Sequence, residues 1–323
     1  MKPFRPLLLL LLLLCAAAQV AVAQDYPVRP VRIVVSYAPG AENDRLARLA
    51  AQHLAEQLRQ PFLVENKPGA SGVIGSDFVA KAAPDGYTLL IGNASTLAIL
   101  ASINSKLPYQ PLEFEPVTVL ASIPSVLVVN AALPVNSVAE FVALARAKPG
   151  ALNYGSPGAG TSMHLTAELF AAQTGTKIVH VAYKGAAPAV TDLLGGQVQF
   201  MFQNVPTVLQ HVRSGRLRAI AATTPARIAV LPDVPTLAET GIRDADSVSW
   251  FAIVAPKGTP GAIAALLQSE IAKAWQKPEV RQSLQDLGAD PVANSPAAAG
   301  AFMQAEYRKW DKAVTAAGLK GSN

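Results

Sequence analysis

The chain has 323 residues, 51% hydrophobic and 15% charged, with 27 Lys and Arg against 22 Asp and Glu for a formal charge of +5. That excess is mild, and no basic stripe with interleaved aromatics accompanies it, so a nucleic-acid partner is excluded. The single cysteine, Cys15, stands in an N-terminal apolar run. Disulfides therefore cannot staple the remainder, and at about 300 residues it exceeds what one core usually serves, so two domains are expected.

Met1, Lys2 and Arg5 form a short cationic start, followed by an apolar run from Leu7 to Val22. The run falls short of the ~20 residues that span a bilayer and ends in Ala21-Val22-Ala23, the small-x-small pattern of a cleavage site. Residues 1–23 are expected to be a secretory signal peptide, which places the mature protein in the periplasm. Lipid attachment at Cys15 is disfavoured by Leu14, where such processing needs a small residue.

The next segments alternate in period. A β-branched run, Val31-Arg32-Ile33-Val34-Val35, precedes a helix over 43–59 with Leu46, Leu49, Ala50, Leu54 and Leu58 on one face and Asn43 or Asp44 as its cap. A strand at 62–64, a helix over 75–83 and a strand at 88–91 follow. Strands separated by helices of this length pair in parallel with helices on both faces. A break near 104–116 carries Pro108, Pro111 and Pro116.

After it come a pair of strands, 117–123 and 126–130, and a second series. The series runs helix 138–147, strand 152–155, helix 163–174, strand 178–182, helix 187–194, strand 198–202, helix 205–214 and strand 217–222. A strand at 250–254 then leads to helices over 262–276, 278–287 and 296–316. Two α/β series joined by two extended segments suggest hinged lobes, the first comprising 24–122 and 248–323 and the second 123–247. Ligands of such sheets sit beyond the carboxyl ends of the strands, so one cleft between the lobes is the expected site.

The loops at those ends are rich in glycine and small hydroxyl residues: Pro39 to Asp44, Gly92 to Thr96, Gly155 to Ser162 and Tyr183 to Ala187. Each precedes a helix, and exposed N–H groups at helix starts hold anions without an arginine. For any one loop a tight turn is the commoner reason for glycine, but four loops of the same chemistry favour binding. Asp44 is either a plain cap or an acceptor for a ligand amine, Lys184 either solvated or a partner for a carboxylate, and Tyr183 and Phe202 either core or pocket wall. His53, His164, His180 and His211 show no metal-ligand spacing, so no metal is expected; His53 reads as surface or interface, and His164 as the one nearest the cleft. The glycine-rich stretch ending in Gly160-Thr161-Ser162 lacks the lysine of a phosphate loop, and Tyr154 replaces the first glycine of a nucleophile elbow at Ser156. No catalytic residue and no cofactor is expected, and the protein is read as not an enzyme.

Several stretches carry a family resemblance over nearly the whole mature chain. They are Tyr26-Pro27-Val28-Arg29-Pro30-Val31-Arg32-Ile33-Val34, Val64-Glu65-Asn66-Lys67-Pro68-Gly69-Ala70 and Ala82-Ala83-Pro84-Asp85-Gly86-Tyr87-Thr88-Leu89-Leu90. Further ones are Ser162-Met163-His164-Leu165, Tyr183-Lys184-Gly185 and Asp192-Leu193-Leu194-Gly195-Gly196-Gln197-Val198. The chain resembles the substrate-binding proteins of tripartite tricarboxylate transporters, the Bug family. The resemblance implies a type II periplasmic binding protein, or Venus flytrap, of two mixed, mostly parallel sheets flanked by helices. It also implies a small carboxylate or amino-acid ligand and a monomer that delivers it to membrane permease subunits. Carried across by motif, the expected ligand contacts are Asn93, Ser95, Thr96, Ser156, Thr161, Ser162, Tyr183, Gly185 and Asn204. The alternative is a periplasmic sensor that presents its ligand-bound form to a membrane signalling protein. This sequence departs from the family pattern at Ala41, where a second glycine is usual, and at Glu42, whose carboxylate beside the anion site opposes an acidic ligand unless it points to solvent. It departs also at Leu97 and Leu100, expected to make one side of the pocket apolar, and at Gln203, where aspartate is common.

Overall fold

A computed structural model of the protein describes residues 26–243, 245–316 and 318–321. The expected signal peptide, with Cys15 and the cleavage site after Ala23, lies outside the described residues.

Strand β1 (Val31–Val35) pairs in parallel with β2 (Phe62–Asn66) on one side and β3 (Thr88–Asn93) on the other. All of β1 except Arg32 is buried, as a strand covered by helices on both faces must be. Helix α1 (Glu42–Leu58) buries Leu46, Ala47, Ala50 and Leu54 and stops where Arg59 turns left-handed at φ 54°. It begins one residue before the apolar spacing predicts. Neither Asn43 nor Asp44 caps it: Ala41 holds the cap position, and Asp44, inside the first turn, reaches back to accept the Gly40 N–H at 2.9 Å. Helix α2 (Val73–Ala80) leads to β3.

The stretch after β3, left without structure by its sequence, is helical. A wide π turn at Ser95–Ile99 runs into α3 (Leu100–Ile103), because Leu97, Ala98, Ile99, Leu100 and Ile103 are all buried in one apolar cluster with Trp250 and Trp310. Strand β4 (Glu115–Asn130) then runs as a single strand of 16 residues where the sequence suggested two. The reason is a change of partner in its middle. From Glu115 to Pro124 it pairs antiparallel with β9 (Val248–Ala255), and from Ser125 onward with β7 (Phe200–Asn204) and β8 (Leu217–Ala222). Pro124 stands at the changeover, where its missing N–H interrupts neither ladder's centre.

Beyond β4 the second series is α4 (Val138–Ala147), β5 (Asn153–Ser156), α5 (Ser162–Thr174), β6 (Val179–Ala182), α6 (Ala186–Leu194), β7, α7 (Val205–Arg213) and β8. Strand β5 pairs in parallel with β6 and β7. After β9 come α8 (Gly261–Trp275), α9 (Pro278–Asp286), a two-residue strand β10 (Asp290–Pro291) on the edge of β4, and α10 (Pro296–Ala316). The order is β2-β1-β3-β9-β4-β7-β5-β6, so β4 is the member shared by two α/β halves. The chain returns from the second half beside β4: Thr223 donates its N–H to Ser125 O at 2.9 Å and its hydroxyl to Ser247 O at 2.5 Å.

Each half has apolar side chains on both faces of its sheet. In the first, Ile33, Leu54, Leu120 and Trp275 pack on one side and Val34, Leu90, Trp250 and Trp310 on the other. In the second, Phe141, Phe170, Phe200 and Phe202 face Val128, Leu193 and Met201 across the sheet. Each large side chain so buried contributes ~2 kcal/mol. The buried Glu306 carboxylate accepts both indole N–H groups, from Trp250 at 2.8 Å and Trp310 at 3.1 Å, which fixes α10 against the sheet. Leu165 and Leu169 of α5, in the second half, pack in the first half's cluster.

Candidate functional site

In the first half, the carboxyl ends of β1 and β3 bring three short segments together. Ser36, fully buried after β1, has no hydrogen-bond partner for its hydroxyl among the described residues. The neighbouring Tyr37 hydroxyl lies 3.2 Å from Ser71 O and 3.3 Å from Asn93 Oδ1, and burial raises its pKa above the usual tyrosine value. Asn93 closes a turn on Thr96: its N–H donates to Thr96 Oγ1 at 3.1 Å, and its Oδ1 accepts the Thr96 N–H at 3.2 Å. Gly72, at φ +97°, lets these segments meet, since a Cβ there would lie 2.6 Å from Thr96 Cγ2 and 3.2 Å from Ser36 Oγ. Asn93, Ser95 and Thr96 thus share one polar cluster with Ser36, Tyr37 and Ser71.

In the second half, the site forms around the end of β5. Ser156 Oγ lies 2.6 Å from His180 Nε2 on β6 and accepts the Gly158 N–H at 3.2 Å. The His180 ring stacks on Tyr154, 4.8 Å away, and on His164, 4.0 Å away, and Tyr154 and His164 stack at 6.3 Å. Thr161 caps α5 by accepting the His164 N–H and donates its hydroxyl to Gly158 O at 2.8 Å. The Gly160 N–H donates to His164 Nδ1 at 3.2 Å. Burial lowers the pKa of His164 to about 3, with His180 beside it acting in the same direction, and burial lowers His180 to about 4. Both imidazoles are therefore neutral near pH 7, and they serve as hydrogen-bonding and stacking groups. The carboxylate in this cluster, Glu168, accepts the Tyr154 hydroxyl.

Ser162 is buried beside Met163, its Oγ 3.5 Å from Sδ. Tyr183 donates its N–H to Ser156 O at 3.0 Å and its hydroxyl to Asp192 at 2.7 Å, so its polar end is directed to α6. Gly185, at φ +114°, donates its N–H to Pro157 O at 3.1 Å. Ser156, Thr161, Ser162, Tyr183 and Gly185 therefore gather on the second half, apart from the Asn93 to Thr96 group.

Asn204, at the end of β7, joins the two halves. Its Oδ1 accepts the hydroxyls of Ser125 and Ser249, at 2.7 and 2.8 Å, one from each strand at the changeover, and its Nδ2 donates to Glu42 Oε1 at 2.8 Å. Glu42 is the first residue of α1, so this bond joins the halves. Ser71 Oγ makes a second such bond to Ala159 O at 3.1 Å, and Gly160 lies against Leu100 and Ile103, where a Cβ would come within 2.8 Å of Ile103 Cδ1. Burial raises the Glu42 pKa, with the Asn204 bond opposing it.

Other expected residues lie elsewhere. Asp44 is buried and fully engaged: Arg48 Nε, the Gly40 N–H and Asn66 Nδ2 all donate to it. Burial acts to raise its pKa, yet these bonds leave it lowered, so it is a structural anion. Leu97 makes no apolar pocket wall, because its side chain fills the space under Gly92 in the core; Leu100 is buried against Gly160. Phe202 is core, Lys184 is exposed, and His53 is buried beside Glu56 instead of on the surface. Gln203 is buried, its Oε1 accepting the Asn204 N–H and its Nε2 without a partner among the described residues.

Sequence reasoning did not single out His180 as a partner of Ser156. The signal was the register of two parallel strands, Tyr154 opposite His180, which has no local pattern. Among the described residues no group of three or more His, Cys, Asp or Glu is placed to hold a metal ion, and no helix is long and apolar enough to cross a membrane.

Residues 46–319 match the profile described as the tripartite tricarboxylate transporter family receptor. Protein BugT of Bordetella pertussis is 41% identical over 300 residues, covering 92% of each chain. Among solved structures, an R. palustris protein with adipate superposes with a TM-score of 0.83 at 37% identity, covering 91% of this chain and 99% of that one. MatC from Rhodopseudomonas palustris with bound malate gives 0.81 at 32% identity, covering 90% of this chain and 100% of the other.

Proposed function

Since this chain belongs to the tripartite tricarboxylate transporter receptor family, we propose that it is exported to the periplasm, captures a small organic acid between its halves and delivers it to the transporter's membrane permease. The observation that carries this reading is the Asn204 bridge. Small hydroxyls and loop N–H groups gather on each half, and one buried amide, Asn204, joins Glu42 of the first half to Ser125 and Ser249 at the β4 changeover. Such groups hold a carboxylate by hydrogen bonds without a fixed cation. Asn93, Ser95 and Thr96 act from one side, Ser156, Thr161, Ser162, Tyr183 and Gly185 from the other, and Asn204 at the floor. Residues 24–122 with 248–323 act as one lobe and 123–247 as the other, hinged where β4 changes partners and where the chain returns at Ser247. Ligand that contacts both lobes favours the closed arrangement. Binding is the whole function: Ser156 and His180 form a hydrogen-bonded pair, but the acid that would orient the base is committed to Tyr154.

The test is thermal unfolding of the mature protein with adipate, malate and a panel of mono- and dicarboxylates and amino acids. A ligand that binds only the folded state stabilises it by about 2.7 kcal/mol at one hundred times its dissociation constant. A stabilising carboxylate that is recovered unchanged after prolonged incubation is the expected result. A panel in which no acid stabilises the protein refutes capture, and turnover of a bound acid refutes pure binding.

A further inference from the structure

We infer that Glu42 sets the ligand class, making the cleft prefer acids that carry a hydrogen-bond-donating nitrogen, ammonium or amide, over acids with a second carboxylate. The inference rests on the reading above that the cleft binds a carboxylate. Three observations carry it.

The first is position. Glu42 Oε1 receives Asn204 Nδ2 from the other half, and Asn204 is itself pinned to Ser125 and Ser249 on the two strands at the changeover. The Glu42 carboxylate is thereby held between the halves, beside the β4 changeover. The second is spare capacity. A carboxylate offers about four acceptor sites, and among the described residues no hydrogen bond other than that of Asn204 reaches this one. Asp44, two residues on, has three donors, the Gly40 N–H and the Arg48 and Asn66 side chains, whereas Glu42 has one. The third is charge. Glu42 is half-buried; burial raises its pKa, and the Asn204 bond and the exposed Arg45 act to keep the carboxylate charged. A half-buried carboxylate with open acceptor sites is completed by an N–H donor, whereas a second carboxylate brought against it is repelled. The ligand's own carboxylate is left to the small hydroxyls of the two clusters, of which Ser36 has no partner among the described residues, so the two ends of the ligand are read by opposite chemistry.

The experiment compares ligands of matched span by calorimetry on the mature protein and on Glu42→Gln. Succinate, glutarate and adipate are set against β-alanine, γ-aminobutyrate and δ-aminovalerate, and against the monoamides succinamate, glutaramate and adipamate. The Glu42→Gln side chain keeps an acceptor for Asn204 and loses the charge. Wild type is expected to bind the best nitrogen-bearing member at least tenfold more tightly than its dicarboxylate, about 1.4 kcal/mol. Glu42→Gln is expected to bring that ratio to about two or below, chiefly by strengthening the dicarboxylate. Glu42→Ser is expected to do the same, and it stands in should the first variant fold poorly. Wild type that binds a dicarboxylate as tightly as its nitrogen-bearing match overturns the inference, as does a ratio unchanged in both variants. Binding without discrimination defeats this inference alone. If no member binds, the carboxylate reading fails and the inference falls with it.

Discussion

The stacked pair His164 and His180 should make the protein lose stability between pH 7 and pH 5. With its folded pKa lowered to about 3 by burial, His164 stays neutral in the native state while the unfolded chain takes up a proton below ~6.5. The unfolded state then binds more protons, so stability falls as pH drops through that window, by about 1.4 kcal/mol per unit. At pH 5 the loss from His164 is about 2 kcal/mol relative to pH 7. His180, lowered to about 4, adds a loss of the same sign, whereas Glu42, with its pKa raised by burial, acts in the opposite sense. Substituting His164→Phe isolates the effect: the ring still stacks on Tyr154 and His180, and only the titrating nitrogens leave. The variant should lose about 1 kcal/mol at both pH values for the unpartnered Gly160 N–H. Urea unfolding of both proteins at pH 7 and pH 5 measures the difference, since other groups cancel. The variant's decrease should be about 2 kcal/mol smaller than wild type's. Equal decreases, within ~0.5 kcal/mol, would refute the assignment of a buried neutral imidazole.

Asn204→Ala strips the partner from two buried hydroxyls and from Glu42, and should destabilise by about 3 kcal/mol in urea unfolding at pH 7. A loss below about 1 kcal/mol would mean that the bridge does not hold the changeover together. Gly72→Ala places a methyl 2.6 Å from Thr96 Cγ2 at a φ of +97°; it should cost about 2 kcal/mol and weaken any ligand-induced thermal shift by displacing the Asn93–Thr96 turn. An unchanged melting temperature and ligand response would show that the first-half cluster tolerates the shift and lies away from the ligand.

Much of this protein was legible before any fold was known. The β-branched run 31–35 and the helix after it were legible locally, one as a short, nearly continuous apolar run and the other as an apolar face repeating every three to four residues. Helix α4 was found at its observed bounds, since Ser137 caps it and the apolar face repeats from Val138. The glycine and hydroxyl loops were equally visible, as composition at strand ends is a local property.

What the tertiary structure decided is everything that depends on partners distant in sequence. The π turn at Ser95–Ile99 is stabilised by apolar burial against α10, at the far end of the sequence, and its segment therefore read as unstructured. Strand β4 looked like two strands because Pro124 interrupts the local pattern, while the continuity comes from β9 on one side of that residue and β7 on the other. Asp44 and Glu42 are both acids at the start of one helix, and nothing local in the sequence says which of them is saturated. The fold saturates the first with Gly40, Arg48 and Asn66 and carries the second across to Asn204, because hydrogen-bond partners are assigned by where the chain brings donors, and that is settled only when the two halves meet.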